Sequence, residues 1–143
     1  MRSRMKVLVT GGAGFIGSTV AGMLLDEGHA VTGIDNFNDY YDPRLKEARH
    51  RRLEGREGYR GFRHDLCDYD TLRRIVRDHG VERVIHLAAQ PGVRYSIDHP
   101  FAYQKANLEA FLNVLEACRH GGVERLVYAS SSSVYGGNTK VPF

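Results

Sequence analysis

Four glycines fall within seven positions near the start of the chain, in Thr10-Gly11-Gly12-Ala13-Gly14-Phe15-Ile16-Gly17. They follow the short β-rich run Lys6–Thr10 and precede Ile16, Val20, Met23 and Leu24, apolar residues at helical spacing. A turn of this composition lets the backbone bend sharply, so that its amides and the helix N-terminus can receive a pyrophosphate. Gly11, Gly14 and Gly17 bring the backbone close, and Phe15 and Ile16 supply first-turn amides. The spacing is one residue longer than G-x-G-x-x-G, and a plain tight strand-to-helix turn is the alternative. Asp35-Asn36 strengthens the binding reading. Asp35 closes a second strand, Ala30–Asp35, eighteen residues beyond Gly17. A carboxylate there can accept hydrogen bonds from both hydroxyls of a ribose and would repel a 2′-phosphate, which favours NAD over NADP.

Three further strand ends carry candidate groups. Asp65-Leu66 follows the third strand, where a carboxylate can either read an adenine amino group or form a turn. Leu87-Ala88-Ala89-Gln90 ends the fourth, and its small residues let a cofactor lie against the backbone. Ala129-Ser130-Ser131-Ser132-Ser133-Val134-Tyr135-Gly136 ends the fifth, placing hydroxyls over the carboxyl edge of the sheet; a polar loop is the plainer reading. No His/Asp arrangement accompanies these serines, so none is read as a hydrolase nucleophile. His86 reads as a packed strand residue. Cys67 and Cys118 are far apart, and the seven histidines show no metal-ligand spacing, so no metal site is proposed.

The elements that must position these groups alternate along the chain. Strands at Lys6–Thr10, Ala30–Asp35, Tyr59–His64, Val81–Ala89 and Val123–Ser130 are separated by helical patterns. Gly28 stops the first helix, Asp42-Pro43 opens the second, Asp68 caps the third and His79-Gly80 closes it. Pro100 opens a long helix whose apolar side, Phe101, Leu108, Phe111, Leu112, Leu115 and Cys118, reads as core or as a subunit contact. Near-continuous apolar strands joined by single helices imply a parallel sheet covered on both faces. The fold class is α/β, a doubly wound, Rossmann-like parallel sheet in the order 3-2-1-4-5, incomplete within these residues.

At 143 residues, 42% hydrophobic and 26% charged, the chain suits one domain and excludes a disordered or collagenous protein. No apolar run reaches the ~18 residues of a membrane span, and only Val7-Leu8-Val9 follows the charged start, so a cytoplasmic protein without membrane contact is expected. Two cysteines fit a reducing compartment. Arg44, Lys46, Arg49, Arg51, Arg52, Arg56, Arg60 and Arg63 form a basic stretch, interleaved with Glu47, Glu54 and Glu57, that reads as a solvated helix and loop. A patch for a phosphorylated ligand comes second, and with no nucleic-acid-binding motif beside it, no nucleic-acid partner is expected.

These motifs together resemble the extended short-chain dehydrogenase/reductase superfamily, and within it the nucleotide-sugar epimerases. Asp35-Asn36-Phe37-Asn38-Asp39-Tyr40-Tyr41-Asp42-Pro43, Ala88-Ala89-Gln90-Pro91-Gly92-Val93-Arg94-Tyr95-Ser96 and the stretch from Tyr128 to Phe143 are similar to UDP-glucuronate 4-epimerases, although Pro91 stands where those carry a small residue. The resemblance implies NAD as cofactor, a nucleotide-sugar substrate, epimerisation at C4 through a 4-keto sugar, and a homodimer for the full-length form. It places Ser131 where a hydroxyl holds the reacting oxygen, with Ser133 nearby. Arg94 can meet a substrate carboxylate or phosphate, or serve the loop. The family's proton acceptor is a Tyr followed four residues later by Lys, and none of the eight tyrosines has that partner. The expectation is therefore the N-terminal portion of an NAD(P)-binding domain over residues 1–143, lacking the C-terminal substrate domain and catalytically incomplete. A stand-alone NAD-binding module is the competing reading. A 4,6-dehydratase relative is another, but it would carry Asp-Glu where Ser132 and Ser133 stand. Without the rest of the fold, apolar surface on strands four and five is expected to be exposed.

Overall fold

The computed structural model describes residues 4–142. The first residues of the charged start, 1–3, and the last of the Tyr128–Phe143 stretch lie outside them. Five parallel strands, β1 (Lys6–Thr10), β2 (Ala30–Asp35), β3 (Tyr59–Arg63), β4 (Arg83–His86) and β5 (Arg125–Tyr128), form one sheet in the order β3-β2-β1-β4-β5. This is the doubly wound order expected from the sequence. β1 lies at the centre, pairing Val9 with Gly33 on one side and Ile85 on the other.

Both faces of β1 are covered, which is why its residues are apolar without alternation. Val7 and Val9 pack with Ala21 and Leu25 of α1 (Phe15–Asp26) and Leu53 of α2 (Pro43–Glu54). Leu8 points the other way, into a cluster with Leu72, Ile75 and Val76 of α3 (Tyr69–Asp78) and Ala110, Val114 and Ala117 of α6 (Ala110–Gly121). Glycine makes room at two strand positions. A Cβ on Gly33 would overlap the Tyr59 ring, and one on Gly61 would overlap His50.

β4 and β5 are shorter than the apolar runs that suggested them. Past His86 the Leu87 amide is shared between the Thr10 carbonyl, at 3.3 Å, and the Thr10 hydroxyl, at 3.1 Å, and the Ala88 amide goes to the hydroxyl alone, at 3.2 Å, so the backbone ladder ends on a side chain and the chain turns out of the sheet. Val81 and Val123 remain outside the strands because their amides close the preceding helices, bonding to Val76 and Cys118 carbonyls. The Pro100 helix is also more complex than its periodicity implies. It comprises α5 (Pro100–Tyr103), a π-helical stretch (Gln104–Glu109) and α6, preceded by an unforeseen short helix α4 (Val93–Asp98). Its buried side is the alanine-rich one, Ala110, Val114 and Ala117, while Phe101, Leu108, Leu112 and Leu115 face outward. Small residues let α6 approach α3 closely, and the longer chains are left on the far side.

Exposure of apolar surface is found on β5, at Val127 and Tyr128, but not on β4, where Val84 and His86 are buried. No helix among the described residues is long and apolar enough to cross a membrane.

Candidate functional site

The carboxyl ends of β1, β2 and β4 open onto a cleft of about 760 Å³, within the ~300–1,000 Å³ range of small-molecule sites. Its floor is the glycine turn. Gly11 adopts a left-handed conformation, φ +68°, and a Cβ there would sit 3.0 Å from the Ala88 amide nitrogen. A Cβ on Gly17 would overlap the Gly11 carbonyl oxygen. Both contacts are with backbone, which cannot yield, so the turn tolerates no side chain at either position. Gly14 then leads into α1, with Phe15, Ile16 and Gly17 in its first turn, where helix amides have no intrahelical partner.

Asp35 is fixed to this turn rather than free in solvent. Its Oδ2 accepts a hydrogen bond from the Ala13 amide at 3.1 Å, and its Oδ1 accepts one from the Phe37 amide at 2.9 Å. Phe37 takes φ +54°, unusual for a residue with a side chain, and the Arg63 guanidinium lies 4.0 Å from its ring centroid. Arg63 is held in turn by Glu47. Asn36 donates from Nδ2 to Asp65 Oδ2 at 3.4 Å and accepts the Asn38 amide at 3.1 Å. Burial raises the Asp65 carboxyl, but the Cys67 amide and thiol, Asn36 and the more distant Lys105 outweigh it and hold Asp65 below its ordinary pKa. Burial pushes the neighbouring Cys67 thiol up to about 12, with Asp65 adding to the shift. That thiol stays protonated, donating toward the Lys105 carbonyl oxygen at 3.5 Å, and is no nucleophile.

The far wall is Leu87, Ala88, Ala89 and Gln90. Asn107, within the π-helical stretch, clamps it: the Gln90 amide donates to Asn107 Oδ1 at 2.8 Å, and Asn107 Nδ2 donates to the Gln90 carbonyl at 3.1 Å. His86 lies beneath. Burial lowers its pKa to about 4, so it is neutral at pH 7. Thr10 Oγ1 already accepts two amides, so its own proton points to His86 Nδ1, 2.7 Å away, and the imidazole carries its hydrogen on Nε2. Stacking of His86 on Phe111, centroids 5.2 Å apart, completes a packed residue with no route to the cleft.

The structure therefore brings together Gly11, Gly14, Phe15, Ile16, Gly17, Asp35, Asn36, Asp65, Leu66, Leu87, Ala88, Ala89 and Gln90 around one cleft. Ser131, Ser133 and Arg94 are exposed and do not line it; Ser131 Oγ accepts the Ser133 amide at 3.2 Å, in a 3₁₀ turn. Several lining residues are not among the candidates named from the sequence, among them Asn38, Tyr41 and Lys105, while Lys46 and Arg49 enter there only through the second reading of the basic stretch, a patch for a phosphorylated ligand. The signal for Lys46 was present: Lys46, His50 and Leu53 share one face of α2 at helical spacing, and all three are buried. The reading of the basic stretch as solvated is corrected at this position. Such an arrangement offers amides to a pyrophosphate, an anchored carboxylate to a ribose diol, and small residues to a flat ring. Among the described residues, no three His, Cys, Asp or Glu side chains gather as metal ligands.

Residues 8–143 match the GDP-mannose 4,6-dehydratase family. The chain belongs to that family. Within it, the protein is similar to CapI of Staphylococcus aureus, 49% identical over 139 residues, which are 97% of this chain and 41% of that one. UDP-glucuronate 4-epimerase 4 of Arabidopsis thaliana is 49% identical over 138 residues, 96% of this chain and 31% of the relative. Among solved structures, the UDP-glucuronic acid 4-epimerase from Bacillus cereus in complex with UDP-glucuronic acid and NAD superposes with a TM-score of 0.85 at 38% identity, covering 95% of this chain and 43% of that one. The UDP-glucose-4-epimerase from Stenotrophomonas maltophila with bound NAD superposes at 0.84 and 32% identity, covering 98% and 41%. The resemblance to nucleotide-sugar epimerases read from the motifs is thus shared by sequence relatives and structures alike. This dehydratase-family member spans less than half the length of each of these four proteins.

Proposed function

We propose that this chain is the NAD-binding portion of a nucleotide-sugar 4-epimerase acting between UDP-glucuronate and UDP-galacturonate. The observation that carries the cofactor half is Asp35, whose carboxylate is tied to the glycine turn through Ala13 and lies in the same cleft as Gly11, Gly14 and Gly17. These residues fit a dinucleotide: the cradle has no space for a Cβ at Gly17, and the acceptor for a ribose diol stands at the end of β2. The sugar half rests on the likeness to UDP-glucuronate 4-epimerases of Arabidopsis thaliana and Bacillus cereus.

When bound, NAD supplies reversible hydride acceptance at C4 of the sugar, by way of a 4-keto sugar. The chain's own residues do the holding. Gly11 to Gly17 receive the pyrophosphate, Asp35 and Asn36 the adenosine ribose, Asp65 and Leu66 the adenine, and Leu87 to Gln90 the far half of the dinucleotide. Ser131 would hold the reacting oxygen: its Oγ accepts one amide and keeps its proton to donate. Ser133 and Arg94 are assigned to the nucleotide sugar. No Tyr here has a Lys four residues on, so a proton acceptor of the family type is lacking from residues 1–143. The same reading places the full-length protein in the cytoplasm as a homodimer, with no nucleic-acid or membrane partner.

The family description favours a 4,6-dehydratase as a second reading. Ser132 and Ser133 weigh against it, since neither can act as the carboxyl acid and carboxylate base that elimination across the sugar ring needs. Calorimetry of NAD binding, together with a turnover assay on UDP-glucuronate, tests the proposal on the 143-residue chain. NAD binding without turnover is expected. Failure to bind NAD would overturn the cofactor assignment, and substantial turnover would overturn the assignment of catalysis to residues beyond these.

A further inference from the structure

Lys46 is the one lysine in the cleft that is almost wholly buried, 6% exposed, and its ammonium has three oxygens around it. It donates to the Asn38 carbonyl at 3.1 Å and to Asn38 Oδ1 at 2.8 Å, and it lies 3.7 Å from Asp35 Oδ1. The side chains of this pair are 7% and 9% exposed, so the charges face each other out of water. Arg49, less than one helical turn further along α2, also lines the cleft and donates from Nη1 to the Tyr41 hydroxyl at 3.0 Å. The cleft therefore holds one cation, Lys46, beside the Asp35 carboxylate, and a second, Arg49, against Tyr41 and Phe15. Asp65, the other carboxylate of this wall, is engaged by the Cys67 amide and Asn36.

We infer that Lys46 sets the cofactor preference of this site, by cancelling most of the repulsion that Asp35 would exert on a 2′-phosphate. A phosphate beside the ribose meets a carboxylate and an ammonium only 3.7 Å apart, and at similar distances their Coulomb terms oppose each other. Asp35 keeps its role as acceptor for the ribose hydroxyls, since its two backbone bonds come from Ala13 and Phe37 and not from Lys46. The consequence is a site that takes NAD and also accepts NADP, with weaker discrimination than an aspartate alone imposes. This inference rests on the dinucleotide reading and refines which dinucleotides the cleft admits.

The test is the ratio of NADP to NAD dissociation constants, measured by calorimetry on the 143-residue chain. For the unaltered chain a ratio below about 30 is expected, less than 2 kcal/mol of discrimination at 1.36 kcal/mol per tenfold. Lys46→Met should raise that ratio about tenfold, from the loss of one nearby opposing charge. A change that merely loosens the structure would weaken both ligands alike and leave the ratio where it was. Removing one member of a buried pair can unfold a protein, so Asp35→Asn and the double variant Asp35→Asn/Lys46→Met close a cycle. Asp35→Asn should turn the preference toward NADP, because the ammonium is then unopposed, and adding Lys46→Met should bring the ratio back toward one. An Asp35→Asn ratio that Lys46→Met leaves unmoved overturns the inference. So does NAD binding by the single Lys46 variant with an unaltered ratio. If the unaltered chain binds neither dinucleotide, the cofactor reading itself falls.

Discussion

At the scale of single residues, the site works by holding backbone and side chains in conformations that few sequences tolerate. His86 shows the electrostatic side of this. Burial lowers its pKa from 6.5 to about 4, so the unfolded chain binds a proton between those values that the folded chain refuses. Stability should be complete above pH 6.5 and decline as pH falls toward 4, by roughly 3 kcal/mol at 1.36 kcal/mol per unit. Urea unfolding at pH 7 and pH 4.5 measures the loss. His86→Gln, which keeps an acceptor for Thr10 but cannot titrate, should lose less stability over that interval; equal losses in both proteins would show that other groups carry the dependence. What the sequence makes legible at this scale is what depends on local backbone. The glycine turn and Asp35 are read from neighbours a few positions away. Lys46 is different, because its charge points to solvent in any count of residue types; its spacing with His50 and Leu53 marks the buried face of α2, but only the fold brings its ammonium to Asp35.

Among the elements, β1 and β2 stand where their apolar runs end in glycine or aspartate, since those residues change the backbone's options abruptly. The ends of β4 and β5 were not readable in the same way. Val81 to Ala89 reads as one strand, yet it stops at His86, where the Thr10 hydroxyl shares the Leu87 amide with the Thr10 carbonyl and takes the Ala88 amide, 78 residues away, for itself. The π-helical stretch leaves no mark in the periodicity either, although it sets Lys105 and Ala106 in the cleft wall and Asn107 against Gln90. Such stretches are frequent at functional sites. Asn107 makes two hydrogen bonds to one residue of the opposite wall, and Asn107→Ala strips both from a half-buried position. The expected cost is about 1–3 kcal/mol in urea unfolding. Hydrogen exchange at the Gln90 amide should accelerate by more than global destabilisation accounts for; exchange that tracks global stability alone would mean that the clamp is passive.

For the whole molecule, the question is what covers the apolar residues left on its outer surface. Phe101 is 83% exposed, Leu108 66% and Leu112 58%, all on the outer side of the segment running from Pro100 through α6. β5 adds Val127 and Tyr128 at the sheet edge, with one side of the strand unpaired. Scattered exposed apolar residues need no explanation, but neighbouring ones on a helix face together with an open parallel edge form a surface that water disfavours. The 143-residue chain should bind 1-anilinonaphthalene-8-sulfonate and self-associate with rising concentration in sedimentation velocity. Two variants separate the contributions. Leu112→Asp should reduce association if helix faces meet, and Val127→Lys should reduce it if strand edges pair, because a charge opposes edge-to-edge addition. Each substitution falls at an exposed position, so folding stability should move by less than about 0.5 kcal/mol. A dye-negative monomer across the concentration range would show that this surface is tolerated by the isolated chain, and the association argument would fail at its first step.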